Sequence, residues 1–142
     1  SRHMDVFSYA PREMNSTTQE KIRRIVRVTG RPVLLDAFGF GAPERGLSGG
    51  LVTVRNQRER GGKYREYVET AAAMPEVVGT HYSRWGDDPA WGNDDGQNRN
   101  TGIIDVTERP YPELVAAMQA THARLREVRE GKSPAYLPPA NP

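Results

Sequence analysis

The chain has 142 residues, with 20 Lys and Arg against 18 Asp and Glu for a net charge of +2, and is 36% hydrophobic and 27% charged. That length buries one modest core, the charge is too small to argue for nucleic acid, and no apolar run approaches the roughly 18 residues of a membrane span. The absence of cysteine excludes disulfides, thiolate metal sites and cysteine nucleophiles, without fixing a cellular compartment.

Residues 1–4, Ser-Arg-His-Met, read as a cloning scar and are set apart from a domain expected over residues 5–131. Asp5 to Tyr9 has the composition of a short strand. Ser16 with Gln19, and Thr17 with Glu20, form overlapping capping boxes ahead of a helix whose stripe is Ile22, Ile25 and Val26, extended by Val28 and closed by Gly30. Pro32 to Phe38 is a continuous apolar run, as expected of a parallel strand buried on both faces. A glycine-rich loop, 39–50, leads to a second helix expected over Val54 to Met74, weakened by Gly61-Gly62. Arginines gather at Arg23, Arg24 and Arg27 and at Arg55, Arg58 and Arg60, which read as solvated helix faces.

Val77 to Tyr82 makes a third strand, and Pro112 opens a third helix striped with Leu114, Ala117, Met118, Thr121, Leu125 and Val128. A proline-rich tail over 132–142 is expected to be an arm or disordered. The order is therefore β-α-β-α-β-α, an α/β unit with parallel strands that amounts to part of a TIM-like barrel. Three strands leave two bare edges, which a homo-oligomer or a complementing partner fragment is expected to cover.

The segment Gly79–Gly102, GTHYSRWGDDPAWGNDDGQNRNTG, crowds two tryptophans, four aspartates and five glycines into 24 residues. Its aspartates lack the EF-hand spacing and no compact set of metal ligands occurs, so no metal and no cofactor is expected. Asp36, Asp87, Asp88, Asp94 and Asp95 are the carboxylates from which acid/base chemistry could be assembled. Ser8, Ser48 and Ser83 lie in no nucleophile-elbow pattern.

RPVLLDAFGF, 31–40, resembles the seventh-strand region of clan A glycoside hydrolases, where the pattern runs R-P-V-L-I-G-E-F-G-F. Gly79 to Pro89 and Asp95 to Val106 resemble the eighth-strand region of β-agarase-like and β-galactosidase-like members, and RPYPELVAAMQATHARL resembles the last helix of that barrel. The resemblance runs from about Asp5 to about Arg129. It implies a sugar-facing surface at the strand ends, with Trp85 as a platform for the apolar face of a sugar ring. His81, Arg84, Asp87, Asn98 and Trp91 are the further substrate contacts it implies, beside Asp88 and Asn100 as hydrogen-bonding groups.

The departures bear on catalysis. Retaining hydrolysis uses two carboxylates about 5–5.5 Å apart. The glutamate that the resemblance implies as nucleophile falls on Ala37, and nothing here resembles the strand that would carry the acid/base. Asp36, next in the strand, is expected to point to the opposite face unless the strand bulges. Gln97 and Arg84 stand where glutamate and glutamine are commoner. The sequence thus reads as a glycoside-hydrolase-like fragment facing carbohydrate without the usual catalytic pair, or as a non-catalytic self-assembling or binding module that reuses barrel elements.

Overall fold

The computed structural model describes residues 4–139; Ser1, Arg2 and His3 of the expected scar and the last three residues of the tail lie outside them. The elements follow the expected order: β1 (Phe7–Tyr9), α1 (Ser16–Thr29), β2 (Val33–Phe38), α2 (Gln57–Ala72), β3 (Val77–Tyr82) and α3 (Pro112–Arg129). The strands form one open parallel sheet in the order β1-β2-β3, with Phe7 beside Val33 and Val33 beside Val77.

Register and burial sort the strand residues onto two faces. Val33, Leu35 and Val77 pack with Ile22 of α1, Tyr67 and Val68 of α2 and Leu114 of α3 in one core. Phe38 stacks on Tyr67 with ring centroids 4.1 Å apart, and the Tyr67 hydroxyl donates to the Pro11 carbonyl at 3.0 Å. The opposite face presents Ser8, Leu34, Asp36, Gly79 and His81, all exposed or half-exposed. Among the described residues nothing covers it, although parallel strands are ordinarily buried on both sides.

Helix ends deviate from the sequence reading by small, explicable amounts. The cap of α1 is Asn15, whose side-chain oxygen accepts from the Thr18 amide at 2.9 Å, rather than Ser16 or Thr17. Gly30 closes the helix in the left-handed conformation, its amide donating to the Val26 carbonyl. Helix α2 begins at Gln57 rather than Val54, because Asn56 is in extended backbone and caps the helix, its side chain accepting from the Glu59 amide at 2.9 Å. Gly61 is explained by packing: a Cβ there meets Ala117 Cβ at 2.9 Å and the Glu113 carbonyl at 3.0 Å. The glycine lets α2 and α3 approach.

Two charged side chains of α2 lie in the interior. Arg60 is fully buried, not part of a solvated face. Glu69 is also fully buried; it accepts from the Tyr136 amide at 2.8 Å and pairs with Arg65 at 3.3 Å and Arg124 at 3.4 Å. The Arg65 guanidinium lies 4.2 Å over the Tyr136 ring, and Arg124 donates to the Pro134 carbonyl at 2.7 Å. The proline-rich arm therefore lies across α2 and α3 at Pro134 and Tyr136.

Candidate functional site

The C-terminal ends of β2 and β3 open into irregular chain, 39–56 and 83–111, and the groove lies there. Strand β2 bulges just before its end: Leu35 pairs with Thr80 and Phe38 with Tyr82, so Asp36 and Ala37 together oppose His81. Ala37 closes the bulge with φ of 54°, a left-handed backbone that L-residues seldom adopt. Its amide donates to Asp36 Oδ1 at 2.8 Å. The same oxygen stands 3.6 Å from His81 Nδ1, and the two side chains share the uncovered face of the sheet. The bulge that the sequence reading required before Asp36 could be redirected is thus present.

Ala37 lines a hollow of about 140 Å³ together with Gly39, Ser83, Arg84, Arg99 and Thr101. At Arg12, Leu51 and Val52 this hollow meets a larger one of about 490 Å³ that reaches Tyr9, Glu13 and Asn15. The floor is thus made by the turn after β1, the end of β2 and the loop after β3. Arg12, Ser83, Arg99 and Thr101 did not stand out in the sequence. Their common signal is position, since each follows a strand end, where parallel β/α units gather their functional groups.

Most aspartates of the long segment serve the loop itself. Asp87 accepts from the Gly102 amide at 2.7 Å on one oxygen, and from Asn100 Nδ2 at 2.7 Å and the Tyr111 hydroxyl at 2.5 Å on the other. Burial first, and then the hydrogen bond to Asp87, push the Tyr111 hydroxyl well above the ordinary tyrosine range. Asp88, buried, accepts from Arg84 Nη1 at 2.8 Å, from Asn93 and from the Arg99 amide. Asp105 is held below the usual carboxylate range first by the Thr107 hydroxyl and then by the Arg109 amide. Asn100 is enclosed and donates to Tyr111 as well as Asp87. Asp87, Asp88 and Asn100 are therefore turned into the loop rather than presented to a ligand.

Beneath them Arg60 ties the loop to the core. Its Nε donates to the Phe40 carbonyl at 2.7 Å, Nη1 to Gln57 at 3.2 Å and Nη2 to the Tyr82 hydroxyl at 3.0 Å and the Gly102 carbonyl. Gly102 has no room for a side chain, as a Cβ would meet the Gly86 carbonyl carbon.

The remaining sequence-chosen residues lie outward. Trp85, next in the chain to Arg84, is 71% exposed, while its carbonyl accepts from the Ile103 and Ile104 amides. Trp91 is 89% exposed on a separate turn closed by Gly92. Asn98 uses its carbonyl to accept from the Ser48 amide at 2.9 Å, and its side chain is half-buried. Asp94 and Asp95 are exposed. Among the described residues, no group of three His, Cys, Asp or Glu side chains gathers at metal-binding distance.

No protein-family model matches the chain. It is similar to a β-agarase B of Vibrio sp. (strain JT0107), 37% identical over 89 residues, which is 61% of this chain and 9% of that protein. A β-agarase A of the same strain is 32% identical over 88 residues, again 61% of this chain and 9% of the relative. A solved exo-β-agarase superposes with a TM-score of 0.82 and 29% identity, over 93% of this chain and 18% of that one. The likeness is thus to a segment of agarases, and the chain spans about a tenth of the curated relatives' length.

Proposed function

We propose that this chain supplies the last three β/α units of an agarase-like barrel and contributes a sugar-facing surface rather than a complete hydrolytic site. The observation that carries the reading is the groove at the ends of β2 and β3, built from the agarase-like segments, with Trp85 open to solvent directly after Arg84. An exposed indole presents a flat apolar face matched to the CH face of a sugar ring, while its N–H remains free to donate.

Cleavage is a different matter. The position of the implied nucleophile, Ala37, offers the groove a methyl group, and a methyl cannot attack an anomeric carbon. Asp36 sits beside it but faces His81 across the uncovered side of the sheet. Two carboxylates flanking one bond are the usual requirement for this chemistry; one is replaced here by Ala37 and the other is implied on a strand that this segment lacks, so the sugar would be bound here without being cut.

Affinity electrophoresis in agarose, galactan and β-glucan gels tests the sugar surface. Retardation that disappears in Trp85→Ala supports it, and a chain that runs unretarded on every gel sinks it. A second reading, a self-assembling module, is favoured by the bare face of the sheet and by Val78, 55% exposed at the edge strand. Its signature is a mass in light scattering that rises with concentration, together with no retardation on sugar gels.

A further inference from the structure

The groove is lined by donors and cations with almost nothing to balance them. Arg12 and Arg99 both line the smaller hollow, and among the described residues neither guanidinium has a carboxylate partner. Arg99 is half-buried, with its side-chain carbons against Gly50. Arg84 adds a third guanidinium, already paired with Asp88. Ser83 and Thr101 supply hydroxyls. No Asp or Glu lines this hollow; Glu13 belongs to the larger one beyond Arg12.

The loop chemistry explains the imbalance. Asp87 and Asp88, which share the long loop with Arg84, Arg99 and Thr101, have both oxygens engaged by internal donors, and Asp36, next to Ala37, faces His81. At position 37, where a carboxylate would offset the arginines, there is a methyl group. A neutral sugar asks a site for acceptors as well as donors, because each hydroxyl is both. This wall offers donors in excess. Guanidinium forks match the paired oxygens of a sulfate ester or carboxylate, and the pairing gains strength as water is excluded.

Resting on the sugar-facing reading above, we propose that the groove binds an acidic galactan, with Arg12 and Arg99 gripping a sulfate ester or carboxylate on one residue of the glycan. Trp85 then supports the ring and the arginines select for its charge.

The test is calorimetry on the whole chain with two galactan oligosaccharides of equal length, one neutral and one sulfated, at low and moderate salt. The sulfated ligand is expected to bind about tenfold more tightly or better, with the margin narrowing as salt rises. In Arg99→Gln and in Arg12→Gln the ratio of the two affinities is expected to fall toward one; Arg12 is exposed, so at least that variant keeps the fold. Equal affinities in the parent chain, or a preference that survives the double substitution, overturn the inference while leaving the sugar surface standing. Binding of neither oligosaccharide overturns both. Polyglutamate binding as tightly as the sulfated sugar, and equally well in Trp85→Ala, reduces the site to bare charge and also overturns it. A carboxylated oligosaccharide in place of the sulfated one distinguishes the two acidic groups.

Discussion

Arg60 of α2 donates from its buried guanidinium to the carbonyl of Gly102, 42 residues later in the chain, and so fixes the loop that walls the groove to the helix layer beneath it. The same guanidinium holds the Phe40 carbonyl and lies 5.2 Å from the centre of the Tyr111 ring. Replacing it by methionine keeps much of the volume but strands the Gly102 carbonyl and the Gln57 side-chain oxygen, and leaves the Phe40 carbonyl only the Tyr82 hydroxyl at 3.4 Å. Each unpaired buried acceptor costs on the order of 1–3 kcal/mol, so Arg60→Met is expected to lower stability by about 3–5 kcal/mol in urea denaturation. A loss below about 1 kcal/mol would show that water takes over the guanidinium's role.

The two adjacent glycines of α2 are expected to respond in opposite directions. Both sacrifice helix propensity of about 1 kcal/mol relative to alanine. A Cβ at Gly62 meets only the Tyr136 hydroxyl, at 3.7 Å, so Gly62→Ala should raise stability by up to about 1 kcal/mol. At Gly61 the added methyl collides with Ala117 and the Glu113 carbonyl, and separating α2 from α3 is expected to cost about 1–3 kcal/mol. Equal effects from the two substitutions would mean that propensity, not packing, governs this helix.

Glu69 holds the C-terminal arm through the Tyr136 amide while neutralising Arg65 and Arg124. Glu69→Ala leaves two cations facing each other over a vacant site and frees the arm. We expect a destabilisation of about 3 kcal/mol, accompanied by faster hydrogen exchange at Tyr136 than at residues of α1. Unchanged protection at Tyr136 would place the arm's attachment in the Arg124 contact with Pro134 instead.

The architecture was legible because the signals that specify it are local and periodic. The apolar run at Val33–Phe38, the stripe from Ile22 and the proline at the head of α3 each needed only their neighbours in sequence. The groove was less legible. Asp87 and Asp88 look like solvent-facing acids in a glycine-rich loop, and only the fold brings Gly102, Asn100 and Tyr111 to one and Arg84 and the Arg99 amide to the other. Arg60 follows an arginine pattern that reads as a wet helix face, since its acceptors, Phe40 and Gly102, are distant in the chain. The strained bulge at Ala37 leaves no trace in composition at all, because alanine carries no preference for a positive φ.

Buried hydroxyls set the alkaline limit. Burial, and secondarily the charge of an ionised Tyr82, push Tyr64 up to about 12, with its hydroxyl 3.0 Å from His122 Nε2. Unfolded tyrosine ionises near 10. A folded value above the unfolded one means that the contribution to stability is complete below about pH 10 and is lost as pH rises toward 12. Unfolding free energy measured across that window should therefore fall more steeply for the parent chain than for Tyr64→Phe. Parallel slopes would show that Tyr64 opens to solvent before it ionises.

Ala37 is the position at which backbone strain and missing chemistry coincide. With φ at 54°, a Cβ pays a steric penalty that glycine escapes, and the residue is exposed, so little packing is lost with its methyl. Ala37→Gly is expected to raise stability by about 0.5–1 kcal/mol, whereas Ala37→Val, β-branched in the same conformation, should lower it by about 1–2 kcal/mol. Urea midpoints of the two variants decide the matter. If valine were tolerated as well as glycine, the bulge would have to relax to extended backbone, and Asp36 would leave the side of the sheet it shares with His81. A glutamate at this position carries the Cβ strain that alanine already bears and lacks valine's branch, so restoring a carboxylate to the groove is expected to cost the fold less than Ala37→Val does.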